Sequence, residues 1–276
     1  MDLSQKQIDA LKKNVRWKGI IESAKFGERV VQPYIDQITG NGRILEIGCG
    51  TGLLLHTLSG NNQNLEFEGI EAYGDGFSDY ADIGIDLENT NLFTVFKRGY
   101  ENYGAEGKKF KLIYSINTVE HLPNWRSLIS FIAGALDANG VAVLCFPNYS
   151  FPYESHFRIP ILINKKITGS VYRKRINRIE NSEDGKGLWN SLNFVKVGEV
   201  IGECKKAGLQ AAIHFSVIRT LLTRLETDQE FYRRHKKLRV ATRIFDFFHL
   251  EILLKLRWLS LRLPYIQLEI KKSDLG

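Results

Sequence analysis

The stretch Leu45-Glu46-Ile47-Gly48-Cys49-Gly50-Thr51-Gly52 constrains the fold more than any other part of the chain. Arg43 to Ile47 reads as a short strand, and Leu53-Leu54-Leu55-His56-Thr57-Leu58 resumes a helical pattern behind the glycines. Glycine lacks a Cβ, so the chain turns tightly there and its backbone can approach a ligand closely. A strand, a glycine-rich turn and a helix start form the setting of nucleotide sites in α/β proteins. The spacing here is G-x-G-x-G, not the G-x-G-x-x-G of dinucleotide sites. Glu46 also stands where those sites carry an apolar residue. Both features argue against a nicotinamide dehydrogenase.

The surrounding pattern extends this reading. Leu65 to Glu71, Leu92 to Phe96, Phe110 to Ser115 and Val141 to Phe146 read as four further strands. Helical patterns stand between them at Phe77 to Gly84 and Ser127 to Leu136, with a turn at Asp137-Ala138-Asn139-Gly140. Alternation of this kind gives a parallel sheet with helices on both faces. Residues 5–37 read as helix before it. The regularity breaks after Pro147, and residues 148–192 read as an insertion on the substrate side, rich in aromatics, prolines and basic residues. Asn193 to Ala207 returns to helix, Leu209 to Arg219 reads as one strand or two with a bend, and 221–263 as mainly helical until Pro264. The expected division is an α/β domain over 1–220 and a basic helical extension over 221–276.

Three features beside the glycine turn narrow the class. Glu71 closes the second strand, where a carboxylate can accept hydrogen bonds from a ribose diol. Tyr114-Ser115-Ile116-Asn117-Thr118-Val119-Glu120-His121-Leu122-Pro123 follows the fourth strand, and Leu136 to Leu144 runs helix, turn, strand. Together these residues resemble the class I S-adenosylmethionine-dependent methyltransferases, within them the small-molecule branch. The resemblance covers roughly residues 40–150, with a weaker match at Asn193 to Leu209. It implies a Rossmann-like seven-stranded, mostly parallel sheet whose last strand is antiparallel, and S-adenosylmethionine as cofactor. Carried over by residue, it assigns Glu46, Gly48, Cys49, Gly50 and Gly52 to the cofactor's amino-acid and ribose parts, and Glu71 to the ribose. Gly99 and Tyr100 fall at the adenine contact, although the acid common there is missing from Lys97-Arg98-Gly99-Tyr100-Glu101. The resemblance also sets Asn117 at the position that faces the methionine part.

Methyl transfer from a sulfonium is an in-line displacement that chiefly needs positioning. A hydroxyl acceptor also benefits from a general base. His121 follows the fourth strand, and His156 follows the fifth within Tyr153-Glu154-Ser155-His156, where Glu154 can orient it. Either imidazole suits the role; each also has the plain alternative of a packing residue. DNA amino-methylation is disfavoured, because Ser115-Ile116-Asn117-Thr118 replaces an Asp/Asn-Pro-Pro-Tyr motif, and no Pro-Cys pair exists for cytosine chemistry.

Charge bears on the acceptor. Residues 231–263 hold nine Lys or Arg and two acids, and residues 158–178 hold seven Lys or Arg and no acid. The rest of the chain is acidic, although the net charge is +7. Such patches meet phosphates or anionic headgroups, or are simply solvated faces. The apolar positions of the tail do not form a clean stripe. It can pack on the core or on another subunit, or lie on a membrane. The N-terminus has no secretory pattern, no stretch of about 18 residues is uninterruptedly apolar, and the three cysteines lack zinc-type spacing. The expectation is a cytoplasmic O-methyltransferase without a metal, peripheral to a membrane at most. Its acceptor is a small molecule or glycan, lipid-linked glycans of polysaccharide biosynthesis included. The alternatives are an RNA or protein methyltransferase and a non-catalytic, methyltransferase-like binding subunit.

Overall fold

The computed structural model describes residues 5–12, 17–74, 80–81, 92–104, 107–182, 187–227, 232 and 257–273. Most of the helix expected at Phe77 to Gly84 and most of the basic tail 231–263 lie outside the described residues. Helices α1 (Gln5–Lys12) and α2 (Trp17–Ile35) precede β1 (Gly42–Ile47). Next come α3 (Leu53–Asn61), β2 (Leu65–Ile70), β3 (Phe93–Phe96), β4 (Phe110–Ile116), α4 (Trp125–Ala135) and β5 (Leu136–Pro147). A two-stranded hairpin follows, β6 (Tyr153–Glu154) with β7 (Ile159–Pro160), and then α5 (Lys165–Val171), α6 (Arg173–Glu180) and α7 (Leu188–Ser191). The chain returns through α8 (Val197–Lys206), β8 (Leu209–His214), α9 (Ser216–Thr227), α10 (Arg257–Ser260) and β9 (Tyr265–Lys272).

Seven strands form one sheet in the order β3-β2-β1-β4-β5-β9-β8. The first five pair in parallel, and β9 runs antiparallel to both β5 and β8. The expected seven-stranded, mostly parallel sheet is therefore present. Period-two alternation in the strands feeds two cores. Ala142, Leu144 and Phe146 of β5 join Leu45, Ile47, Leu268 and Ile270 beneath α4 and α8. Val143 and Cys145 point the other way, to α2, α3 and α9. Strands buried on both faces read as unbroken apolar runs, which is why β5 was legible. Helix α2 buries Ile20, Ala24, Gly27, Val31 and Ile35, a stripe at helical spacing.

Three segments differ from the sequence reading. Residues 265–272, assigned to the helical extension, supply β9 inside the sheet, so a boundary at 220 does not separate sheet from extension. Their signal was alternation: Ile266, Leu268 and Ile270 are buried at period two. Leu209 to Arg219 is one strand that stops at His214, and α9 begins at Ser216. Val217 and Ile218 are β-branched, which suggested strand, but Val217 and Leu221 share a helical face on the core. The turn at Asp137 to Gly140 lies within β5, where pairing with β4 jumps from Phe110↔Leu136 to Leu112↔Val141.

The strand order reverses at the β1/β4 pair, the point outside which open α/β sheets bind ligands. The carboxyl ends of β1, β2, β4 and β5 open there. Asn148, buried just past β5, donates to the carbonyls of Leu261 at 2.9 Å and Leu263 at 2.8 Å. Its own Oδ1 accepts from Ser150 and Val197 N–H groups, both at 3.1 Å. One side chain thus ties the end of β5 to the return segment and to α8. No helix among the described residues is long and apolar enough to cross a membrane.

Candidate active site

The glycine turn leaves β1 and enters α3. Gly48, Gly50 and Gly52 all hold left-handed φ values, of 77°, 54° and 74°. A Cβ at Gly48 would also lie 2.2 Å from the side chain of Thr118. The N–H groups of Gly48 and Cys49 donate to the carbonyl of Ile70 at 2.8 and 3.2 Å, which fastens the turn to the end of β2. The Cys49 side chain is buried against Gly69. Glu71 follows directly, and its carboxylate accepts from the N–H of Gly50 at 2.8 Å and of Tyr73 at 3.1 Å. Burial pushes the Glu71 carboxyl up, against the pull of those N–H groups. Turn and acid expected from the sequence therefore touch. Each carboxylate oxygen has a further lone pair for a diol. The positive end of α3 faces the same place.

Glu46 is buried and accepts a hydrogen bond from the Tyr114 hydroxyl at 3.1 Å. Burial pushes it up to about 8. At neutral pH this carboxyl holds its proton. Asn117 also has a left-handed φ, 55°, at the end of β4. Its N–H donates to the Cys145 carbonyl at 2.8 Å, and its Oδ1 accepts from the Tyr265 hydroxyl at 2.7 Å. Tyr265 was not singled out from the sequence, because its strand was read as part of the extension. Gly99 sits past β3, whereas the Tyr100 ring is buried and its hydroxyl donates to the Asn124 carbonyl at 2.8 Å. The Tyr100 side chain therefore serves the core, and only its backbone and Gly99 remain for an adenine contact.

A second group of side chains gathers past β4 and β5. Glu154, buried in β6, accepts from the backbone N–H groups of His156 at 3.0 Å and Phe157 at 2.6 Å, and lies 2.7 Å from His156 Nδ1. Burial acts to raise the Glu154 carboxyl, but the hydrogen bond and charge of His156 and the two N–H groups hold it below the usual carboxylate range. The rings of His156 and His121 are 5.7 Å apart. His121 Nδ1 lies 2.8 Å from the Ser191 hydroxyl of α7. Burial, with the charge on His156 adding to it, pushes His121 down to about 3, so it is neutral. Glu120 is buried and pushed up to about 7 by that burial. The two histidines weighed as alternatives are thus neighbours. Glu120 and Ser191 join them without having been singled out: the first was seen only as part of a motif, and the second comes from an insertion with no periodic signal.

A glycine turn and a strand-end acid meeting at the switch point, under a sheet with this strand order, define a class I S-adenosylmethionine-dependent methyltransferase. The residues fit that cofactor: left-handed glycines leave room for close backbone approach, and Glu71 offers the acceptor set a ribose needs. The comparisons agree. Residues 24–197 match the family model described as a methyltransferase domain. Uncharacterized protein Rv1509 and Uncharacterized protein MT1557, from two strains of Mycobacterium tuberculosis, are each 30% identical over 221 residues, 79% of this chain and 74% of the relative. The plantazolicin methyltransferase BpumL, solved in complex with SAH, superposes with a TM-score of 0.51 at 11% identity, over 98% of this chain and 90% of that one. The cyclopropane synthase MmaA2 from Mycobacterium tuberculosis does so with a TM-score of 0.51 at 12% identity, over 88% and 81%. At such identities the two structures carry the fold. The chain belongs to the methyltransferase-domain family.

Proposed function

We propose that the protein methylates a hydroxyl of a small-molecule or carbohydrate acceptor. The observation that carries this reading is the His156–Glu154 pair, 2.7 Å apart, set beside His121 and Glu120 past the ends of β4 and β5. S-adenosylmethionine supplies an electrophilic methyl group on a charged sulfur. The glycine turn and Glu71 hold the ribose and amino-acid parts, and the Asn117 end of β4 borders the methionine part. Glu154 fixes the His156 ring, and a ring so held presents its other edge to an acceptor proton.

A lipid-linked acceptor is favoured by the insertion. Ile163 is 83% exposed and Val171 62%, with Leu162 and Ile167 also exposed beside them. Lys166, Arg173 and Lys174 are exposed in the same segment. Exposed apolar side chains and cations within one segment suit a bilayer surface with anionic headgroups. The test is a screen of acceptors, sugar nucleotides and lipid-linked glycans included, with radiolabelled cofactor. With a confirmed acceptor, His156→Ala should lower turnover by about 10²–10⁴ and leave cofactor affinity nearly unchanged. Turnover close to wild type would remove His156 from the reaction.

A further inference from the structure

Glu120 presents a physical problem that methyl transfer alone does not resolve. It is 1% exposed, and neither carboxylate oxygen has a hydrogen-bond partner on another residue. A carboxyl buried in this way is neutralised by a proton or by a cation. Oε1 lies 3.9 Å from His121 Nε2. One donor atom each from Glu120, His121 and His156 lie within 4.8 Å of one another.

The surroundings of the two rings match what metal-binding histidines require. Nδ1 of His156 is held by the Glu154 carboxylate at 2.7 Å, and Nδ1 of His121 by the Ser191 hydroxyl at 2.8 Å. Ligating imidazoles are typically fixed in this way through the nitrogen that does not bind the ion. Glu154 is itself anchored by two backbone N–H groups, so the outer shell is rigid.

We propose that Glu120, His121 and His156 form a binding site for a divalent first-row transition ion, with Nε2 of each histidine and one Glu120 oxygen as ligands. Two imidazoles and a carboxylate select zinc, iron, cobalt or manganese over magnesium, which prefers an all-oxygen shell. Three protein ligands leave open positions, as in catalytic sites. The proposal rests on the methyl-transfer reading only for its purpose: an acceptor oxygen bound at an open position would be held beside the cofactor and made more acidic. In that state His156 acts as a ligand, and the acceptor proton leaves to solvent.

The experiment uses the full chain, stripped with a chelator and titrated with Zn²⁺ by calorimetry and with Co²⁺ by visible absorption. The expected result is one ion per chain, a cobalt spectrum without a thiolate charge-transfer band, and no displacement by millimolar Mg²⁺. Glu120→Gln and His156→Gln should abolish that site, and Glu154→Gln should weaken it roughly 10–100-fold. Circular dichroism on each variant, and the rise in melting temperature with S-adenosylhomocysteine, check that folding and the cofactor site survive. A cofactor shift without one equivalent of Zn²⁺ or Co²⁺ overturns the metal site and leaves the methyltransferase reading intact. Binding that persists in folded Glu120→Gln, or a thiolate band from Cys49, Cys145 or Cys204, overturns it as well.

Discussion

Replacing Glu46 with glutamine isolates one buried carboxyl beneath the cofactor turn. In the folded chain burial pushes Glu46 up to about 8; the Tyr114 hydrogen bond opposes this and the charge of Glu71 adds to it. In the unfolded chain it titrates near its ordinary value of 4.5. Folded protein therefore keeps a proton that unfolded chain releases between these two values. The contribution of Glu46 to stability is fully present below pH 4.5 and is lost as pH rises through about 8. At about 1.4 kcal/mol per pKa unit, the loss between pH 5 and 8 is on the order of 3 kcal/mol. Glutamine does not titrate in this range, and its carbonyl can accept the same Tyr114 hydrogen bond. The stability of Glu46→Gln relative to wild type should therefore grow with pH by that amount. Urea denaturation of ligand-free wild type and variant at pH 5, 6, 7 and 8 measures it. A difference that stays constant over this range would mean that Glu46 is already ionised in the fold, and the argument would fail. The variant should also bind S-adenosylhomocysteine more weakly, because a bound ammonium group would draw the carboxyl into its charged form.

Three further outcomes are expected. S-adenosylhomocysteine should raise the melting temperature of wild type and NAD should not, whereas Gly50→Val should lose the shift, since φ at Gly50 is 54° and a Cβ there meets the Tyr80 ring at 3.3 Å. Asn148→Ala should cost roughly 3 kcal/mol in urea denaturation, because it strands two carbonyls and two N–H groups around a buried side chain; a loss under 1 kcal/mol would show that the tie between β5 and the return segment is dispensable. Liposome sedimentation should show binding that needs acidic lipid, weakens with salt and falls in Ile163→Asp, whereas equal binding to neutral vesicles would reject the charged-surface argument.

The parallel half of the fold was legible because its signals are local. Buried parallel strands are continuous apolar runs, and the glycine turn needs left-handed backbone that few other residues adopt. Gly48, Gly50 and Gly52 all take that backbone, and the N–H of Gly50 donates to Glu71. The antiparallel strand was hidden, since Tyr265 to Lys272 is short and separated from the other strands by a basic, apolar-rich segment. The direction of the Tyr100 ring was not legible, because position after a strand end does not reveal which way a ring points. The Glu120, His121 and His156 cluster joins the β4 and β5 loops across the 34 positions between the two histidines, and Ser191 comes from further still. Such proximity belongs to the topology, and no metal spacing is written along the chain.

The position of β9 has a consequence for how the molecule assembles. Phe146 in β5 pairs with Ile266 in β9, and β9 then pairs with the earlier strand β8. Closing a contact across on the order of a hundred residues is entropically slow. Until β9 arrives, β5 and β8 have no ladder between them, and each is an unpaired edge open to other chains. As the polypeptide emerges from the ribosome, the glycine turn can form well before the sheet is sealed. The nascent cofactor cradle would then exist on a half-built sheet whose two parts are joined last, by a strand slid in between them.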